Sequence, residues 1–112
     1  MKVNFDTYEE YLFERYGGWA DAQSLFMKLV EEIGEIAEVL NCKAGRKSSG
    51  DRNLDEELGT ELADAIHYII AIAAVNNIDL NEAIIEKDKL GSVKYGHKIN
   101  LESFIKKKDK SD

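Results

Sequence analysis

Two long stretches of the chain repeat apolar residues at spacings of three and four, which places them along one side of a helix. Phe26, Leu29, Val30, Ile33, Ala37 and Leu40 form one stripe, and Leu58, Leu62, Ala65, Ile69, Ile72 and Ala73 form the other. Local signals bound these stripes and add two shorter helices. A first helix is expected over about residues 7–16, with Asp6 as its cap and Gly17-Gly18 as its stop. The second is expected over about 20–43, capped by Asp21 or the residues before it, and the third over about 54–76 behind Asn53. The acidic first turn of the third, Asp55, Glu56 and Glu57, suits the positive end of a helix dipole. Asp79-Leu80-Asn81-Glu82 reads as a capping box opening a fourth helix over about 80–91, which ends near Gly91. Residues 44–52 read as a loop, and no strand or internal repeat is evident.

The expected fold is therefore all-α and four-helix bundle-like. Ala83, Ile84 and Leu90 of the fourth helix help to cover the long pair. Residues 1–105 read as a single helical domain, and 106–112 as a flexible Lys-rich tail. So many apolar positions on so small a bundle imply burial by self-association, as a dimer or tetramer.

Composition narrows the function classes. The 112 residues carry a formal net charge of −7, which argues against nucleic acid as the main partner. The absence of proline fits helices better than a turn-rich sheet fold. A single cysteine, Cys42, excludes an intramolecular disulfide framework and a cysteine-based zinc site. The longest uncharged apolar stretch, Ala65 to Ile78, has 14 residues, short of the roughly 20 a membrane-spanning helix needs. The N-terminus lacks the apolar core of a signal peptide, so a reduced, cytoplasmic location is the default. Charge is also unevenly spread: acidic helical blocks alternate with a basic loop (Lys43, Arg46, Lys47, Arg52) and a basic C-terminal segment.

The chemistry is carried by acidic pairs on the two long helices. Glu32 and Glu35 lie three apart on the second, and Glu61 and Asp64 three apart on the third, so each pair shares a helix face. Glu32 and Glu61 fall at the flanks of their apolar stripes. If the two helices pack antiparallel, four carboxylates converge and repel one another without a cation. Oxygen ligands suit Mg²⁺, with Mn²⁺ as a substitute, and no His stands at the spacing a di-iron bundle site uses. Such pairs also arise by chance in a chain with 22 Asp and Glu. Gly34, an unforced mid-helix glycine beside the carboxylates, implies that something packs close to that backbone.

The string Leu29-Val-Glu-Glu-Ile-Gly-Glu-Ile-Ala-Glu38, followed by Glu61-Leu-Ala-Asp64-Ala-Ile-His-Tyr68, resembles the MazG-like all-alpha nucleotide pyrophosphohydrolases. That family carries an E-x-x-E…E-x-x-D pattern. Here 25 residues separate Glu35 from Glu61, and Asn77-Ile-Asp79-Leu-Asn-Glu-Ala83 matches the family's turn into the next helix. The resemblance implies Mg²⁺-dependent hydrolysis of nucleoside triphosphates, deoxynucleotides included, to the monophosphate and pyrophosphate, as nucleotide-pool house-cleaning. It implies Glu32, Glu35, Glu61 and Asp64 as metal ligands. Glu31 or Glu38 would then help to position the attacking water. Lys87, Lys94 and Tyr95 would grip the phosphates, with Gly91 standing where the family has asparagine and Gly96 where proline is common. Tyr68 and Trp19 would line the base pocket. Two other readings are a phosphoribosyl-ATP pyrophosphohydrolase, which the long gap between motifs disfavours, and a noncatalytic helical dimerisation or regulatory module.

Overall fold

A computed structural model describes residues 1–111. Five helices follow one another: α1 (Phe5–Tyr16), α2 (Ala22–Lys43), α3 (Leu54–Val75), α4 (Leu80–Tyr95) and α5 (Leu101–Ser111). The described residues contain no strand. The all-α expectation holds, with five helices in place of four. The chain forms two compact units, Met1–Asn77 and a second that begins at Ile78.

The capping signals place three helix starts correctly. The side chains of Asp21, Asn53 and Asp79 accept from the backbone N–H groups of Ser24, Glu56 and Glu82, each satisfying a donor that the first turn leaves without a partner. At α1 the cap is Asn4 rather than Asp6: Asn4 Oδ1 accepts from Thr7 N at 2.9 Å, and the helix begins two residues earlier than expected. Gly91 does not stop α4. One glycine inside a helix costs only about 1 kcal/mol, and the chain turns instead at Gly96, whose φ of 67° is the left-handed cap geometry.

In the first unit, α3 is the central helix, packed on α2 and on α1. α1 contributes Leu12, which is fully buried, and Tyr16. α3 contributes Ile70 and four alanines, Ala65, Ala71, Ala73 and Ala74, whose small side chains permit close approach of the helices. On α2 the buried residues are Leu25, Leu29, Val39 and Cys42. This differs from the expected core stripe, of which only Leu29 is buried. Phe26, Val30, Ile33 and Leu40 are exposed, as are Leu62 and Ile69 on α3. The physical reason is that α2 is apolar over two adjacent faces. Periodicity locates an apolar face but not the neighbour that covers it. The face turned toward α3 is the one that also bears Glu32.

By length and composition α3 could cross a membrane, with a mean hydropathy of 1.5 over an 18-residue window. The uncharged-run argument had excluded any such segment. In the structure this apolar character serves packing on α1 and α2, and α3 carries five carboxylates within its length, Asp55, Glu56, Glu57, Glu61 and Asp64.

In the second unit, α4 and α5 form a hairpin. Asp88 Oδ2 accepts from Leu101 N at 2.6 Å, and Asn100 Oδ1 accepts from Ser103 N at 2.9 Å, so α5 has a built start. Lys89 and Glu102 add an ion pair at 2.6 Å. Residues 106–111, expected as a tail, continue α5; Asp112 lies outside the described residues.

Gly34 does not meet its expectation. A Cβ built there would have nothing within 4 Å, so nothing in this chain approaches that backbone. Gly34→Ala should therefore stabilise the chain by about 0.5–1 kcal/mol in chemical denaturation. A loss of stability instead would show that a second chain packs against that turn of α2.

Candidate metal centre

The acidic side of the α2–α3 pair is built by antiparallel register. Lys43 pairs with Asp55, Arg52 brings Glu38 to Glu57, and Glu35 meets Glu61. As numbers fall along α2 they rise along α3, and the same register carries Glu32 to Glu61 and Asp64. One ligand oxygen from each of Glu32, Glu61 and Asp64 lies within 4.8 Å of the other two. Glu32 and Glu61 are half-buried and Asp64 is exposed, so the group sits at the mouth of the seam, reachable from water.

Two oxygens there are orphans. Glu32 Oε2 and Glu61 Oε2 are inaccessible and have no hydrogen-bond partner among the described residues. A buried acceptor left unmatched costs about 1–3 kcal/mol. Like charges gathered within 4.8 Å of one another also repel. A hard divalent cation removes both penalties, so the donor set fits Mg²⁺ or Mn²⁺: oxygen-only, carboxylate-rich and open on one side.

The carboxyl pKa directions reflect the same crowding. The contact with Glu61 is the main cause holding the Glu35 carboxyl above the usual carboxylate range, followed by the charge of Glu61, burial, and the charges of Asp64 and Glu31. For Glu61 the hydrogen bond with Glu35 works downward. The contact with Glu32, burial, and the charges of Glu32 and Asp64 work upward and prevail.

The remaining expected residues are distributed as follows. Glu31 is exposed and lies 3.5 Å from Lys28 Nζ. Glu38 is exposed and lies 3.8 Å from Arg52. Tyr68 is half-buried, its ring 4.9 Å from that of His67. Trp19 is exposed, leans on Tyr16 at 5.5 Å, and donates its indole N–H to the Arg15 carbonyl oxygen at 2.8 Å. Lys87, Lys94 and Tyr95 belong to the second unit, where Lys94 lies over the Tyr95 ring at 5.3 Å and Tyr95 stacks on His97. Of the loop cations, Lys43 and Arg52 are engaged by Asp55 and Glu57.

Sequence reasoning missed an aromatic group beside Asp64. Tyr16 Oη and His67 Nε2 share a 2.8 Å hydrogen bond linking α1 to α3, and Tyr8 meets the His67 ring edge-on. Burial, then the charge of Arg15, pushes His67 below its ordinary pKa, with Asp64 opposing. The available signal was the aromatic content of α1 and the turn after it, Tyr8, Tyr16 and Trp19.

Raised carboxyl pKa values have a definite stability sign. With Glu35 and Glu61 raised, the metal-free folded chain binds protons more tightly than the unfolded one. Their contribution is full below the ordinary carboxylate pKa and is lost as pH rises through the raised values. In EDTA, acidification from neutral pH toward about 5 should favour the wild-type chain relative to Glu35→Gln, read as the difference in unfolding midpoint. Saturating Mg²⁺ should reverse that slope, because the cation needs the ionised form.

Comparison with known proteins agrees with this geometry. Two rodent proteins, dCTP pyrophosphatase 1 of Mus musculus and of Rattus norvegicus, are each 34% identical over 68 residues, which is 58% of this chain. The chain spans only 40% of the length of these curated relatives. The crystal structure of iMazG from Vibrio DAT 722 superposes with a TM-score of 0.63 at 23% identity, covering 83% of this chain and 98% of that one, a likeness of fold. Residues 20–91, which hold all four motif carboxylates, match the MazG nucleotide pyrophosphohydrolase domain, and the chain belongs to that family.

Proposed function

We propose that this protein hydrolyses nucleoside triphosphates, deoxynucleotides in particular, to the monophosphate and pyrophosphate with Mg²⁺, serving to clear the nucleotide pool. The observation that carries this reading is the meeting of Glu32, Glu61 and Asp64 within 4.8 Å, two of them with orphaned inner oxygens. When bound, the metal would supply charge neutralisation for the triphosphate and a lowered pKa for water. Glu32, Glu35, Glu61 and Asp64 would hold it. Glu31 and Glu38 stand one helical turn to either side of Glu35 and would orient the water by hydrogen bonding. Tyr68 and Trp19 offer flat apolar surface for the base, with Tyr16 and His67 behind them. Lys87, Lys94 and Tyr95 are proposed as the phosphate-binding groups of the second unit. The curated relatives carry dCTP in their names, so dCTP is the first substrate to try.

The test is pyrophosphate release from a dNTP panel. Release should require Mg²⁺, stop in excess EDTA, and fall at least about 100-fold in Glu61→Gln, a size expected for loss of a metal ligand. Turnover that survives either change would overturn the reading.

Self-association belongs to the same proposal. Helical angles put Phe26, Val30, Ile33 and Leu40 of α2 on the same side of the pair as Leu62, Ile66 and Ile69 of α3, opposite Glu35 and Asp64. All seven are exposed in the single chain. A contiguous face of this size is uncommon on a soluble monomer, and we infer that a second copy covers it. Ile33→Glu should convert the assembly to monomer in light scattering coupled to size exclusion, without unfolding the first unit. A wild-type chain already monomeric at micromolar concentration would refute it.

A further inference from the structure

The facing carboxylates of α2 and α3 do not end at the metal centre. Toward the loop they continue as Glu38 on α2 and Glu57 on α3, and there a protein cation meets them. Arg52 Nη2 lies 2.8 Å from Glu57 Oε1, and Arg52 Nε lies 3.0 Å from Glu57 Oε2, a fork-on-fork pair. Arg52 Nη1 lies 3.8 Å from Glu38 Oε1 and 3.6 Å from Cys42 Sγ. One guanidinium thus bridges both helices where the loop joins them. At the other end Lys28 stands beside Glu31 at 3.5 Å. No ion pair among the described residues reaches Glu32, Glu35, Glu61 or Asp64.

The row of acid groups is therefore closed at both ends by fixed charges and left open in the middle. We propose that Arg52 is a positioning residue that sets how many divalent cations the row accepts: its guanidinium occupies the Glu38–Glu57 end and confines the diffusible cation to the group of Glu32, Glu35, Glu61 and Asp64. This inference rests on the metal reading above. An exposed ion pair by itself would matter little. Arg52 differs because its loss leaves two carboxylates, one from each helix, with no protein cation between them. A planar, always-charged fork also fits both partners at once in a way a lysine matches only in charge.

The experiment titrates metal-free protein with Mn²⁺ and reads free Mn²⁺ by electron paramagnetic resonance, with folding followed by circular dichroism. Relative to wild type, Arg52→Gln should bind one additional Mn²⁺ per chain. Arg52→Lys, which keeps the charge, and the double variant Arg52→Gln/Glu57→Gln, which removes the new ligand pair, should both return to the wild-type number. An Arg52→Gln chain that folds only once Mn²⁺ is added also supports the proposal, since the ion then replaces the guanidinium. Equal stoichiometry in Arg52→Gln and wild type overturns it, as does an Arg52→Gln chain that stays unfolded in Mn²⁺ while the double variant folds. Failure of wild type to bind any Mn²⁺ would instead overturn the metal reading itself.

Discussion

The α2–α3 seam has to satisfy two opposed demands. It buries Leu25, Leu29 and Val39 against Ala65 and its neighbours, and it holds Glu32 and Glu61 among them. Apolar contact draws the helices together, while repulsion between the carboxylates pushes the same surfaces apart. Everything distinctive about the first unit follows from how that conflict is met. Small residues on α3 let the backbones approach, α1 braces α3 from another side, and ion pairs at Lys43–Asp55 and Arg52–Glu57 hold the loop end closed. What packing and ion pairs leave unneutralised is the small acidic group in the middle, which is able to coordinate a divalent cation.

Local chemistry made much of this legible in the sequence. A cap is a contact between residues three apart, so Asp21, Asn53 and Asp79 could be read without knowing any neighbour. The i, i+3 pairing of Glu32 with Glu35 and of Glu61 with Asp64 fixed which carboxylates share a face on each helix. What could not be read was which face of α2 meets α3. Its apolar arc is wide enough to offer two, and Phe26, Val30, Ile33 and Leu40 looked like core when they are the outer half of that arc. The choice depends on tertiary packing, which spacing along one helix does not encode. The fifth helix was missed for a different reason. Its apolar side is only Leu101, Phe104 and Ile105, a single turn repeated once, and the lysines that follow dominate the composition. The contact that starts it, Asp88 to Leu101 N, spans thirteen positions and is invisible to local reading.

The aromatic residues show the same division between local and long-range information. Tyr16 and Trp19 are near neighbours in the sequence, and the tilted contact of their rings follows from the turn at Gly17. The partner that gives the group its place is His67, 51 positions away. Its hydrogen bond with Tyr16 ties α1 to α3 one turn beyond Asp64. The face of α3 beside Asp64 is thus braced by α1.

Cys42 lends the hairpin one further property. It is the sole thiol of the chain, 6% exposed, and screened from solvent where Arg52 reaches across it. Alkylating reagents can reach that sulfur only when the loop end lifts. The reaction rate of the native chain is then a clock for opening at the base of the hairpin, read without any substitution in the sequence.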